Sequence, residues 1–187
     1  MKTKRALVLL APGFEEIEMV TVVNVLRRAG VEVTLAGIGA GALPGSHAVR
    51  VTADCPAAQV SGRDFDLVFL PGGQPGTDNL RKDPQAQRIL QEASEAKKTI
   101  GAICAAPLIL AEAGCLSGRC ATGHPSVRSA MEKATSVQYT GAPVVIDGSV
   151  VTSRSPGTAM ECALALVGLL CGNEKAKSVE ASLLARA

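Results

Sequence analysis

Cys104 is the residue whose type and setting point most directly to chemistry. It follows the apolar run Thr99 to Ile103 and is followed at once by Ala105, Ala106 and Pro107. A buried strand that delivers one nucleophilic side chain into a helix start is the turn of elbow-type enzymes, with Cys in place of Ser. A thiol at a helix N-terminus meets the positive end of the helix dipole and loses its proton more easily. The N–H of Ala105 can form an oxyanion cradle with a second donor. That donor is offered by Gly72 or Gly73 in Pro71-Gly72-Gly73-Gln74-Pro75-Gly76, where paired glycines leave the backbone approachable. A plain tight turn is the other reading of those glycines.

Three more residues fall where strands give way to helices or turns. Glu18 lies about one turn into a helix after Pro12-Gly13, between apolar Ile17 and Met19. It reads either as a solvated helix acid or as a carboxyl aimed along the sheet edge. Glu15 and Glu16 are explained by the helix dipole alone. His124, in Gly123-His124-Pro125, reads as surface filler by itself and as a base or substrate contact beside a cysteine nucleophile. Arg154, in Ser153-Arg154-Ser155-Pro156-Gly157, sits in a capping segment and is a candidate contact for an anion or a partner chain.

The elements that must position these residues alternate strand and helix. Strands are expected at Arg5 to Leu10, Val31 to Ala36, Asp66 to Leu70, Thr99 to Ile103 and Cys120 to Thr122. A hairpin is expected at Val144 to Ile146 and Val150 to Ser153 around Asp147-Gly148, and a short hairpin arm at Val49 to Ala53. Helices are expected at Glu15 to Arg28, Asp83 to Lys97, Ala105 to Ala113, Ser126 to Lys133, Thr158 to Cys171 and Glu174 to Leu184. Asp83 caps its helix with Pro84 in the first position. Continuous apolar strands alternating with helices predict a mostly parallel sheet covered on both faces. Ligands in such folds bind beyond the C-terminal strand ends, where all of the residues above lie.

Composition narrows the function classes. The chain has 187 residues, enough for one domain over 1–187 with its own core and no need of disulfide staples. Apolar residues make up 47% and charged residues only 19%, so disorder is excluded. A net charge of +2 and four aromatic residues (three Phe, one Tyr) leave no nucleic-acid footprint. No apolar run is long enough to span a membrane. The N-terminal apolar stretch, Ala6 to Ala11, is too short for a secretory segment and reads as a buried strand. Six cysteines with no CxxC and only two histidines exclude a zinc pattern and suggest reduced thiols in a cytoplasmic protein. Residues 55, 115, 120, 162 and 171 read as structural thiols. The first strand-to-helix turn lacks GxGxxG and carries three glutamates, which would repel a phosphate, and there is no Walker A sequence. No GxSxG occurs to anchor a serine hydrolase.

The segments APGFEEIE, FLPGGQPG, GAICAAP, TGHP and TSRSPGT, in this order, resemble the ThiJ/PfpI superfamily. Within it they resemble the branch of the Parkinson-disease protein DJ-one and its bacterial relatives. The resemblance spans nearly the whole chain. It implies a flavodoxin-like, doubly wound α/β sandwich, a homodimer, and no organic cofactor or metal. It maps the family's reactive cysteine onto Cys104 and its largely protonated glutamate onto Glu18. The histidine maps onto His124, and the backbone donors onto Gly72, Gly73 and Ala105. Two departures stand out. A family arginine is replaced within Ser46-His47-Ala48, with His47 or Arg50 as its substitute, and the usual SRGPG appears as Ser153-Arg154-Ser155-Pro156-Gly157.

These readings predict a cysteine-dependent enzyme for methylglyoxal, glyoxal or their early glycation adducts. A redox sensor or holdase chaperone, whose cysteine oxidises to sulfinate, is the alternative. Peptidase or amidase chemistry ranks below both. Its protease-like relatives place a histidine directly after the cysteine, and here that residue is Ala105.

Overall fold

The computed structural model describes residues 3–185. In chain order the first elements are β1 (Arg5–Leu10), α1 (Glu16–Arg28), β2 (Glu32–Gly37), β3 (Ala42–Pro44), β4 (Arg50–Thr52) and β5 (Cys55–Pro56). Next come β6 (Leu67–Leu70), α2 (Gly76–Lys82), α3 (Pro84–Glu95), β7 (Thr99–Ile103), α4 (Pro107–Glu112) and β8 (Cys120–Ala121). The chain closes with α5 (Arg128–Ala134), β9 (Gln138–Tyr139), β10 (Val144–Asp147), β11 (Val150–Ser153), α6 (Ala159–Cys171) and α7 (Asn173–Leu183).

Seven strands form one sheet in the order β10-β11-β7-β6-β1-β2-β5, and every pairing is parallel except β10 with β11. From β1 the chain builds outward to β2 on one side and to β6, β7 and β11 on the other. That reversal is the flavodoxin-like order, and it opens a crevice between the C-terminal ends of β1 and β6.

The strands bury alternate residues on opposite faces. Leu7, Leu9, Val68 and Leu70 pack with Leu80 of α2, Ile89 and Leu90 of α3 and Ile109 of α4. Ala6, Val8, Leu10 and Phe69 pack with Val22 and Leu26 of α1 and with Cys162 and Leu166 of α6. The sheet is therefore covered on both sides, as its apolar strands require.

Most elements fall where the sequence places them. Asp83 caps α3, its carboxylate accepting from Gln85 N–H at 2.8 Å and Ala86 N–H at 3.0 Å, with Pro84 at the first position. The expected arm at Val49 to Ala53 is β4, antiparallel to β3. Two differences bear on the site. The helix expected from Ala105 begins at Pro107, because a turn occupies residues 104–106. The segment after Pro71-Gly72-Gly73 forms α2, which its glycine, proline and asparagine content had disguised.

Gly101, in the middle of β7, lies under the Phe69 ring. A Cβ there would come within 2.8 Å of Phe69 Cδ2 and 3.3 Å of Leu166 Cδ2. Gly101→Ala is expected to destabilise by about 1–3 kcal/mol through overpacking, outweighing the ~0.5–1 kcal/mol that alanine gains within a strand. Urea denaturation measures this directly. An unchanged midpoint would mean that the Phe69 ring yields.

Candidate active site

Three loops after three adjacent strands meet at the crevice: the first turn of α1 after β1, the Gly72-Gly73 segment after β6, and Cys104 after β7. Cys104 has φ +63°, the left-handed region that a non-glycine residue occupies only when its surroundings hold it there. Its N–H donates to Ser153 O at 2.9 Å, and its carbonyl accepts from His124 N–H at 2.6 Å. This conformation lifts the side chain out of the strand direction and leaves it half-buried.

Glu18 is fully buried, at 0% exposure. It is not a solvated helix acid. Glu15 caps α1 through Oε2, which accepts the Glu18 N–H at 2.7 Å, while the Glu15 N–H donates to Gly72 O at 2.9 Å. Gly72 N–H donates in turn to Glu18 Oε2 at 2.6 Å. Glu18 Oε1 has no hydrogen-bond partner of standard geometry among the described residues. The Cys104 thiol lies close enough to this carboxyl for each to shift the other's ionisation.

Gly72 sits between the two groups. A Cβ there would fall 2.7 Å from Cys104 Cβ and 2.9 Å from Glu18 Oε2. At Gly73, with φ +92°, a Cβ would fall 2.5 Å from Glu15 N. Neither position admits a side chain, which assigns the paired glycines to close approach rather than to a simple turn.

Burial pushes the Glu18 carboxyl up, the Gly72 N–H pulls it back and the Glu15 charge adds to the rise, so that it titrates at about 7 instead of 4.5. Burial, then the Glu18 charge, push the Cys104 thiol up to about 12, against the N–H groups of Ala105 and Gly73 that favour the thiolate. The expected lowering by a helix dipole is not what governs this thiol. α4 starts three residues later and runs for six residues. Burial is the larger cause, and the Glu18 charge adds to it: a charged Glu18 helps to keep Cys104 protonated, and a neutral Glu18 removes that part of the opposition.

The other sequence candidates divide. His124 is joined to Cys104 through its backbone, while its ring Nδ1 lies 2.7 Å from Ser126 Oγ and 3.3 Å from Ser126 N. Accepting that N–H assigns Nδ1 as the acceptor and leaves Nε2 with the proton in the neutral ring. Arg154 is tied to the β10 approach, with Nη1 donating to Gly141 O at 3.2 Å and N–H to Pro143 O at 3.0 Å. It has no acidic partner among the described residues.

Where the family arginine is missing, Ser46 and His47 engage Glu16. The carboxylate accepts from His47 N–H at 2.7 Å and from Ser46 Oγ at 3.1 Å, and its Oε2 lies 3.3 Å from His47 Nδ1. Burial opposes ionisation of Glu16, but these bonds and those from its own N–H and that of Val49 hold it below the ordinary value. Arg50 reaches Ala42 O, at 3.5 Å, and has no acidic partner among the described residues. Among the described residues, Glu15, Glu16 and His47 form the one group of three metal-ligating side chains in mutual reach, within 4.8 Å. The Glu16 oxygens are already committed to hydrogen bonds.

Sequence reasoning missed Glu15, whose carboxylate sets the Glu18 backbone and raises its proton affinity. A capping pattern, with an acid three residues before Glu18, was the available signal. It also missed Ser153 as the acceptor for Cys104, since nothing local links two residues on different strands.

A family model described as the DJ-1/PfpI family matches residues 4–169. The chain is 40% identical to protein dj-1beta of Drosophila melanogaster over 184 residues, 97% of each chain. The crystal structure of that protein superposes with a TM-score of 0.93, covering 100% of both chains. The Parkinson disease protein 7 homolog of Danio rerio is 41% identical over 188 residues, 98% of each chain. A Caenorhabditis elegans protein named glutathione-independent glyoxalase DJR-1.2 is 36% identical over 177 residues, 94% of each chain. No helix among the described residues is long and apolar enough to cross a membrane.

Glu18 sets a pH dependence on stability. Its folded value of about 7 lies above the unfolded 4.5, so its stabilising contribution is complete below 4.5 and is lost as pH rises through 7. Glu18→Gln does not titrate. Relative to that variant, the wild type is expected to lose about 3 kcal/mol between about pH 4 and pH 8. Urea denaturation of both proteins across that range measures the difference. A constant difference would mean that Glu18 ionises in the folded protein as it does in the unfolded chain.

Proposed function

We propose, on the premise that this chain belongs to the DJ-1/PfpI family, that it is a cysteine-dependent enzyme of the glyoxalase or deglycase type. Its substrates are methylglyoxal, glyoxal or their early adducts, and its role is protection against carbonyl and oxidative stress. The observation that carries this reading is the buried Glu18 carboxyl, titrating at about 7 beside the strained Cys104. Such a pair sets a nucleophilic sulfur beside a proton carrier that titrates near neutral pH. The relative named a glutathione-independent glyoxalase supports the substrate class.

With Glu18 protonated, the Cys104 thiolate adds to the aldehyde carbon of a 2-oxoaldehyde. The developing oxyanion is held by the Ala105 and Gly73 N–H groups and takes the Glu18 proton to give a hemithioacetal, leaving Glu18 as the carboxylate. The Glu18 carboxylate then removes the hydrogen from the former aldehyde carbon as a proton, giving an enediolate. Returning that proton to the neighbouring carbon completes an internal redox exchange, with one carbon oxidised to a thioester and the other reduced to an alcohol. Water cleaves the thioester, releasing a 2-hydroxy acid and the Cys104 thiol. The His124 Nε2–H serves a substrate oxygen at the rim, and Arg154 is the candidate contact for an anionic product or a second chain.

The same reading includes a homodimer and a cytoplasmic location. Ile17 (58% exposed) and Val20 (51%) on α1, with Val49 (53%) nearby in sequence to β4, offer apolar surface to a second copy. The free thiols suit a reducing compartment.

Methylglyoxal consumption and lactate formation, without added metal or cofactor, are expected for the wild type. Cys104→Ser should abolish both, and Glu18→Gln should lower turnover by at least about 100-fold. Turnover retained in both variants would sink the proposal.

A second reading, redox sensing with holdase activity, draws on the same donors. The Gly73 and Ala105 N–H groups and a protonated Glu18 surround the sulfur and would stabilise a sulfinate. Mild peroxide is then expected to add two oxygen atoms at Cys104 before the other five cysteines, read by peptide mass spectrometry. Oxidation spread evenly over all six would count against it.

A further inference from the structure

The strained Cys104 backbone is held from two sides, and both holds lead back to the end of β11. On one side, Cys104 N–H donates to Ser153 O at 2.9 Å. The Ser153 hydroxyl lies 2.7 Å from Thr158 Oγ1 and donates to Pro143 O at 3.0 Å. Thr158 Oγ1 also accepts from Ser155 N–H at 3.1 Å, closing the capping box of the short 3-10 turn Pro156–Thr158 that leads into α6. On the other side, the Cys104 carbonyl accepts from His124 N–H at 2.6 Å. The turn that carries His124 is fixed at its root by Thr152 Oγ1, which accepts from Thr122 N–H at 2.9 Å. That turn has no slack, since a Cβ on Gly123 would lie 3.1 Å from Cys104 O.

We propose that the Thr152 and Thr158 hydroxyls are positioning groups, a two-armed brace that holds Cys104 in its left-handed conformation and its thiol beside Glu18. Thr152 and Ser153 are consecutive on β11, so their side chains point to opposite faces of the sheet. One strand end can therefore hold both arms. Thr152 is 1% exposed, Ser153 0% and Thr158 6%, so water cannot replace the hydroxyls if they are removed. Replacing threonine by valine keeps the shape and deletes only the polar atom. A freed Cys104 backbone relaxes toward ordinary φ, which swings the sulfur away from Gly72 and Glu18.

The proposal rests on Cys104 being the reactive thiol and is tested without turnover. The rate of Cys104 alkylation by iodoacetamide is followed by peptide mass spectrometry from about pH 5 to about pH 10, a range that spans the titration of Glu18. Wild type, Thr152→Val and Thr158→Val are compared, each with and without Glu18→Gln. In the otherwise wild-type protein, Glu18→Gln is expected to raise the rate near neutral pH about tenfold or more, because it removes the carboxylate charge that helps to keep the thiol protonated. In either valine background that effect is expected to shrink to less than about threefold. Thr152→Ser and Thr158→Ser, which keep the hydroxyl, are expected to restore it. Ile89→Val, a core change in α3 remote from the brace, controls for general loosening and is expected to leave the Glu18 effect intact.

A full Glu18 effect in both valine backgrounds overturns the proposal, and so does its equal loss in Ile89→Val. Should Thr158→Val fail to fold, Thr152→Val tests the brace through the other arm. A wild type that consumes no methylglyoxal defeats the enzymatic reading and leaves this test unaffected.

Discussion

A carboxyl with no exposed surface beside a half-buried thiol admits one negative charge and not two. Much of the local architecture serves that constraint. Glu18 is kept dry by α1 and by the glycine segment, and its Oε2 accepts from the Gly72 N–H. Glu15 holds the backbone of Glu18 and adds negative charge nearby, which favours the protonated carboxyl. The Ala105 and Gly73 N–H groups favour charge on the sulfur instead. Each neighbour therefore biases where the single proton sits, and none carries a full opposing charge that would fix it permanently.

The sheet order supplies the geometry. Glu18, Gly72 and Cys104 follow β1, β6 and β7, three neighbouring parallel strands whose register is fixed by buried residues on both faces. Their C-terminal ends lie side by side at the reversal of strand order, so short loops suffice to bring the three together. A slip of one residue in β7 would turn Gly101 away from the Phe69 ring and carry Cys104 out of reach of Ser153. The same packing absorbs the local cost of the site: a positive φ at cysteine, a buried acid, and two glycines with no room for a side chain.

Much of this was legible in the sequence. The apolar run ending at Cys104 announces a buried strand presenting a nucleophile, and Pro71-Gly72-Gly73 announces bare backbone at the next strand end. The alternation of strands and helices announces the doubly wound sheet. What could not be read depends on contacts between distant segments. Whether Glu18 is solvated or buried turns on Gly72, 54 residues away, and no local pattern decides it. The thiol's proton affinity was misjudged for the same reason. Helix position suggests a lowered value, whereas burial and the Glu18 charge, which only the fold brings to bear, raise it. Ser46 and His47, read as a departure from a family motif, serve to seat the β3–β4 loop on Glu16.

On the proposed reading, catalysis and oxidation are competing fates of one sulfur. A group of N–H donors and a neutral carboxyl arranged to hold a hemithioacetal oxyanion also suits the oxygens of a sulfinate, since both place partial negative charge within reach of the same donors. The thiolate is the reactive form for both, and both therefore draw on the same proton shared with Glu18. A sulfinate has no lone thiolate left to add to an aldehyde carbon, so an oxidised chain is removed from carbonyl chemistry. Changing the neighbours of Cys104 to favour one fate, for example by removing the Glu18 proton, alters the other with it. The two functional readings are thus consequences of a single electrostatic design, separated by which electrophile, carbon or peroxide oxygen, reaches the sulfur first.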